Sequence, residues 1–166
     1  IRDWLYQHEI PATGIFLKDY RQVLSPFEGK LTTKDLKIQG SYKLGQLLDI
    51  LLMTGIPDEL ILMGDNFESD PLIYLTLTSL LKGDQGPWEV WNTFKEQKNF
   101  RPNKKQNSLF LDKIYQLNSL SESRKTKQKK DIALQIHIRK RSSKDTIVIP
   151  QIFEHQRQLI NPYEAY

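Results

Sequence analysis

The 166-residue chain contains no cysteine. That excludes disulfides, thiolate metal sites and a cysteine nucleophile, and it fits a cytoplasmic protein. No apolar run approaches the ~20 residues that a membrane-spanning helix needs. No basic, apolar and small-residue leader opens the chain. It starts at Ile1 without an initiator methionine and is expected to have lost whatever preceded it. Histidine is scarce, and His8, His137 and His155 are too scattered for a zinc site. There is no internal repeat, no low-complexity tract, no aromatic-interleaved RNA-binding run and no helix-turn-helix signature. What remains is a soluble globular chain, 39% hydrophobic, long enough to bury a core and to form one domain or most of one.

The net charge of +4 is unevenly placed. Arg124–Lys130 and Arg139–Lys144 are basic clusters, which as a class attract anionic lipid headgroups or nucleic acid phosphates. Solvated loops would look the same. Peripheral contact with an anionic membrane through Arg124–Lys130 is the expectation, and nucleic acid the weaker partner.

Along the chain, Arg2–Glu9 reads as the end of a helix with Trp4, Leu5 and His8 on one face. Pro11–Gly14 breaks it, Ile15–Leu17 is a short strand, and Ser25–Gln39 is a polar loop. A helix opens at Ser41-Tyr42-Lys43. Its Leu44, Leu47, Leu48, Leu51 and Leu52 make a stripe for packing on a sheet, with Gly55 as the cap and Pro57 as the stop. Leu60–Met63 is a strand buried on both faces, and Asp70–Leu81 is a helix that Gly83 closes. Pro87–Lys98 and Ser108–Leu120 are helical, either an accessory insertion or lid or two packed core helices. Leu120–Lys130 is a charged link. Ile132–Arg141 alternates as a strand at or near a sheet edge, with His137 an ordinary surface residue. Thr146–Ile149 suggests another short strand, and Gln151–Ile160 has weak helical character. Helix, strand and helix in this order predict an α/β fold with a mainly parallel sheet.

The stretch Ile61–Tyr74 organises this layout. A short apolar run stops at Gly64-Asp65, carboxylates follow at Glu68 and Asp70, and Pro71 fits the first turn of a new helix. Open α/β sheets bind ligands at such carboxyl ends, and clustered hard oxygens suit Mg²⁺. An acidic loop with Asp70 capping a helix is the plainer reading. Lys43 strengthens the first reading. It precedes Asp65 by one helix, a turn and a strand, and that helix runs antiparallel to its strand, so its start comes near the strand's carboxyl end. An ammonium beside carboxylates and a divalent cation can neutralise phosphate oxygens.

Lys43 followed by apolar strand, Gly64-Asp65 and Asp70 resembles the third and fourth motifs of the haloacid-dehalogenase superfamily. Gly64-Asp65-x4-Asp70-Pro71-x-x-Tyr74 is similar to the form found in that superfamily's phosphatidate phosphatases. Pro11–Gly14 leading to Leu17–Tyr20, and the strand Ile132–Arg139, are also similar to segments of that family. The resemblance covers about 4–81, is patchy to 139, and is absent from 83–130 and the tail. It implies the carboxyl-terminal half of a three-layer Rossmannoid core: residues 1–83, a helical insertion and basic linker at 84–130, and final strands at 131–166. It also implies Mg²⁺-dependent hydrolysis of phosphatidic acid or another phosphomonoester. Lys43 would then be the catalytic lysine that holds nucleophile and phosphate, Asp65 a metal ligand, and Asp70 a support of the metal site directly or through water and lysine. Tyr74 is expected only to pack. The attacking Asp-x-Asp-x-Thr and the second-motif Ser or Thr of that family have no counterpart here. They are expected before Ile1, on a missing amino-terminal half, and an inactive module docking on membrane or protein is the alternative.

Overall fold

A computed structural model describes residues 7–8, 33–66, 69–97, 100, 102, 104–128 and 130–164, with backbone alone for 33–39 and 105. The chain divides into two compact units, Ile1–Thr32 and Thr33–Tyr166. In the first, only Gln7 and His8 are described, both exposed. The helix expected at Arg2–Glu9, the break at Pro11–Gly14, the strand at Ile15–Leu17 and the segment Leu17–Tyr20 otherwise lie outside the described residues.

The second unit is α/β. Its elements run α1 (Thr33–Thr54), β1 (Glu59–Asp65), α2 (Asp70–Lys82), α3 (Pro87–Glu96), α4 (Lys104–Gln128), β2 (Ala133–Lys140), a 3₁₀ helix (Gln151–Leu159) and β3 (Ile160–Glu164). The three strands form a parallel sheet in the order β1-β2-β3. Parallel strands need crossover connections, and the β1–β2 crossover carries α2, α3 and α4. None of the described helices is long and apolar enough to cross a membrane.

Several expectations meet a different local structure. The helix bearing Lys43 begins at Thr33 rather than Ser41, so Lys43 is an interior residue and the loop reading of 33–39 is wrong. Gly40, inside this helix, is a packing site: a Cβ there would lie 1.8 Å from the Phe100 ring. Likewise α4 continues to Gln128, through most of the stretch read as a charged link. Residues Thr146–Ile149 are not a strand. The final strands expected within 131–166 include Ile160–Glu164, which pairs with β2, Pro162 opposite Ile138. A proline is tolerated there because β3 is an edge strand among the described residues.

β1 is not buried on both faces. Leu62 is 5% exposed, whereas Ile61 is 52% and Met63 is 65% exposed. Among the described residues β2 lies between β1 and β3, next to an edge rather than at one. Its alternation has another cause: Leu134, Ile136 and Ile138 face the helices, while Ala133, Gln135 and Arg139 face away. Parallel neighbours in register share a face, so the outward rows are Ile61 with Gln135, Met63 with His137, and Asp65 with Arg139.

The inward rows pack on α2, which contacts both β1 and β2 as well as α1, α3, α4 and the 3₁₀ helix. From Ile73 to Leu81 every residue of α2 is buried. A helix enclosed all round needs an apolar surface all round; of its buried hydroxyls, Thr76 Oγ1 donates to Leu72 O at 2.7 Å and Ser79 Oγ accepts from Gln156 Nε2 at 2.7 Å. Gly83, with φ 62°, closes it by donating its N–H to Ser79 O. The helices of 84–130 join this core. Trp91 is fully buried, stacks on Phe94 and Phe110, and its indole N–H donates to Asn107 Oδ1 at 2.7 Å.

Candidate functional site

The carboxyl end of β1 and the start of α2 are locked together by the Gly64–Tyr74 motif. A Cβ on Gly64 would lie 2.6 Å from the Asp70 Cβ and Oδ2, and 2.7 Å from the Tyr74 ring. Only a residue without a side chain lets the first turn of α2 sit against the strand this closely. The Tyr74 hydroxyl donates to the Met63 carbonyl at 2.7 Å, so Tyr74 does more than pack: it ties the helix back to the strand it follows.

Asp70 is the first residue of α2 rather than its cap, Ser69 holding that position without a side-chain capping bond. Asp70 has a buried side chain, 5% exposed, engaged at both carboxylate oxygens. Oδ1 accepts from Lys43 Nζ at 2.8 Å, and Oδ2 accepts from the Asp65 N–H at 3.1 Å. Lys43 reaches it from the middle of α1, with a third of its side chain exposed. The lysine therefore meets the acidic turn, as the sequence reading expects, but from the helix interior.

Asp65 closes the outward face of β1. Register sets it opposite Arg139, whose Nε donates to Asp65 Oδ2 at 3.0 Å and whose Nη2 donates to the same oxygen. That hydrogen bond, then the charge of Asp65, holds the Arg139 pKa above its ordinary value. The ladder continues past the pair, with the Asn66 N–H on the Arg139 carbonyl at 2.9 Å. Sequence reasoning placed Arg139 in a basic patch and gave it no site role. The signal was present in the alternation of 132–139, which puts Arg139 on the outward face, but the register of β1 against β2 is not legible in one sequence.

The site thus holds two adjacent carboxylates, Asp70 and Asp65, each with its own cation, Lys43 and Arg139. Mg²⁺ takes hard oxygens and binds through one or two carboxylates, with water and phosphate completing its shell. Asp65 fits that role, having a carboxylate a fifth exposed at the strand end. Asp70 fits a supporting one, since both its oxygens are used to hold Lys43 and the turn. Among the described residues no group of three or more His, Cys, Asp or Glu could hold a metal, and Glu68 lies outside them.

The basic run sits at the other end of the sheet. Arg124 donates to Asp58 Oδ1 at 2.6 Å and to Lys130 O at 2.9 Å, just ahead of β1 and β2, and Lys125 donates to Lys82 O at the end of α2. Such cations favour a helix carboxyl terminus. His137 is half-buried beside Gln135 Oε1 at 3.3 Å. The chain matches no protein-family model, no curated protein and no solved structure.

Proposed function

We propose that this chain supplies the lysine and carboxylate half of a haloacid-dehalogenase-type phosphatase site, on a Rossmannoid core whose nucleophile lies on a separate segment. The reaction read here is Mg²⁺-dependent hydrolysis of a phosphomonoester, with phosphatidic acid as the substrate. The observation that carries the reading is the Lys43–Asp70 pair at 2.8 Å, set directly behind Asp65 at the carboxyl end of β1. Asp70 holds the ammonium of Lys43 in place, which suits it to a phosphate oxygen and to a nucleophilic carboxylate. Asp65, with Asp70 behind it, would hold Mg²⁺, which when bound supplies charge neutralisation at the transferring phosphate.

The test uses the full-length protein: phosphate release from phosphatidic acid with Mg²⁺, in the wild type and in Asp65→Asn and Lys43→Met. The expected outcome is a loss of at least ~100-fold in each variant, the scale of removing one preorganised electrostatic partner. Rates equal to wild type in Asp65→Asn would remove its metal role.

A second reading is a catalytically inactive module of the same fold, docking on an anionic membrane or a protein partner. The Arg139 guanidinium on Asp65 favours it, because an internal cation already neutralises that carboxylate. With Arg124 and Lys125 bonded to neighbouring carbonyls and Asp58, membrane contact would rest on the exposed Lys127 and Lys130. No phosphate release from a full-length protein that lacks Asp-x-Asp-x-Thr, with salt-sensitive binding to anionic vesicles, is the outcome that selects it.

A further inference from the structure

The pair Asp65–Arg139 is built by the sheet. Their register positions face one another on adjacent parallel strands, so backbone pairing delivers both side chains to the same edge of the same face. The guanidinium is side-on, with Nε and Nη2 both on Oδ2. The two partners differ in freedom. Asp65 is anchored through its own N–H to the buried Asp70 and its side chain is 21% exposed, whereas that of Arg139 is 51% exposed. Arginine stays charged at every working pH, so the contact is not opened by deprotonation of the guanidinium. It opens when another cation takes the carboxylate and the arginine arm moves into solvent. The neighbouring Lys43–Asp70 contact offers no such exchange, because Asp70 is buried and both of its oxygens are bonded.

We propose that Arg139 is a resident counter-ion of Asp65 that competes with divalent cations for Oδ2 and so sets the affinity of this carboxylate for Mg²⁺. The inference rests on Asp65 as the metal-binding carboxylate. It adds a tuning residue: the arginine lowers occupancy at low Mg²⁺ and keeps the carboxylate neutralised when the cation is gone. Its influence is that of an exposed ion pair, which corresponds to about two- to fivefold in a dissociation constant.

The experiment is calorimetric titration of the full-length protein with Mg²⁺ alone, without substrate. Arg139→Met is expected to bind about two- to fivefold more tightly than wild type. Arg139→Lys retains the charge with a point donor and is expected to tighten less. Arg141→Met removes the same charge two residues further on and is expected to leave the constant unchanged. Should Arg139→Met unfold, the comparison of Arg139→Lys with Arg141→Lys carries the same test, the first tightening and the second not. Asp65→Asn is expected to weaken binding in every background. Unchanged affinity in both Arg139 variants, with Asp65→Asn still weakening it, overturns the counter-ion role and leaves the metal site standing. Equal tightening by Arg139→Met and Arg141→Met also overturns it, since general charge would then be the cause. Mg²⁺ binding that ignores Asp65→Asn overturns the metal reading and the inference together.

Discussion

Lys43 Nζ lies 2.8 Å from Asp70 Oδ1, joining the middle of α1 to the first turn of α2. The carboxylate is 5% exposed and the lysine 34%, so the pair is unequal: Asp70 depends on Lys43 more than the reverse. Lys43→Met leaves a buried charge with the Asp65 N–H and is expected to destabilise the fold by about 1–3 kcal/mol. The double variant Lys43→Met/Asp70→Asn is expected to lose less than the sum of its single changes. Urea unfolding in a double-mutant cycle measures the difference, and strict additivity would mean that the contact contributes nothing.

Two glycines should respond to alanine in opposite directions. Gly64→Ala drives a methyl into Asp70 and Tyr74 and is expected to lower stability by about 1–3 kcal/mol. Gly45 lies inside α1, where a Cβ would meet the Phe110 ring at an ordinary 3.5 Å. Gly45→Ala is expected to stabilise by about 0.5–1 kcal/mol through helix propensity. Thermal melts of the two variants decide it, and a stable Gly64→Ala would deny the close approach of α2 to β1.

Trp91 tests whether 84–130 unfolds with the sheet. It is fully buried, stacking at 5.1 Å on Phe110 and 5.7 Å on Phe94 within the cluster that includes Ile136 and Ile138. Trp91→Ala is expected to cost about 3–5 kcal/mol. Tryptophan fluorescence and far-ultraviolet circular dichroism of the wild type should then share one urea midpoint for the unit at 33–166. Separate midpoints would make the helices an independent insertion.

Glu154 carries a pH dependence whose sign is fixed. The Arg157 guanidinium, at 2.5 Å, holds its carboxyl below the ordinary value near 4.5. A depressed pKa in the folded state gives a stabilising contribution that is present above the unfolded value and disappears as pH falls through the folded one. An NMR titration should show the Glu154 midpoint below 4.5, moving up in Arg157→Gln. A midpoint indifferent to Arg157→Gln would dismiss the pairing.

The sequence made local events legible and long-range ones opaque. Pro71 and Gly83 bracket α2 because their backbone chemistry is local, and the leucines of α1 announce a packed face. Asp70 and Lys43 could be brought together by the antiparallel rule for a helix and its strand, even with the start of α1 misplaced by eight residues. The packing of Gly40 on Phe100 was not legible because the two are distant in sequence. Arg139 was missed for the same reason: its role depends on register, and register is a property of two strands. β3 was foreseen only as a final strand somewhere in 131–166, because Asn161-Pro162 is poor in strand formers and an edge strand tolerates that composition.

The crossover between β1 and β2 has a consequence for the order of folding. Asp65 and Arg139 are separated by 74 positions, with α2, α3 and α4 between them. Gly64, Asp70 and Tyr74 can meet early, since only a short loop must close. The arginine arrives only when β2 docks, a non-local step that is slow by topology. An intermediate with the helices formed and β2 undocked would have Asp65 without its arginine, so that the newly made chain meets cations before that arginine does.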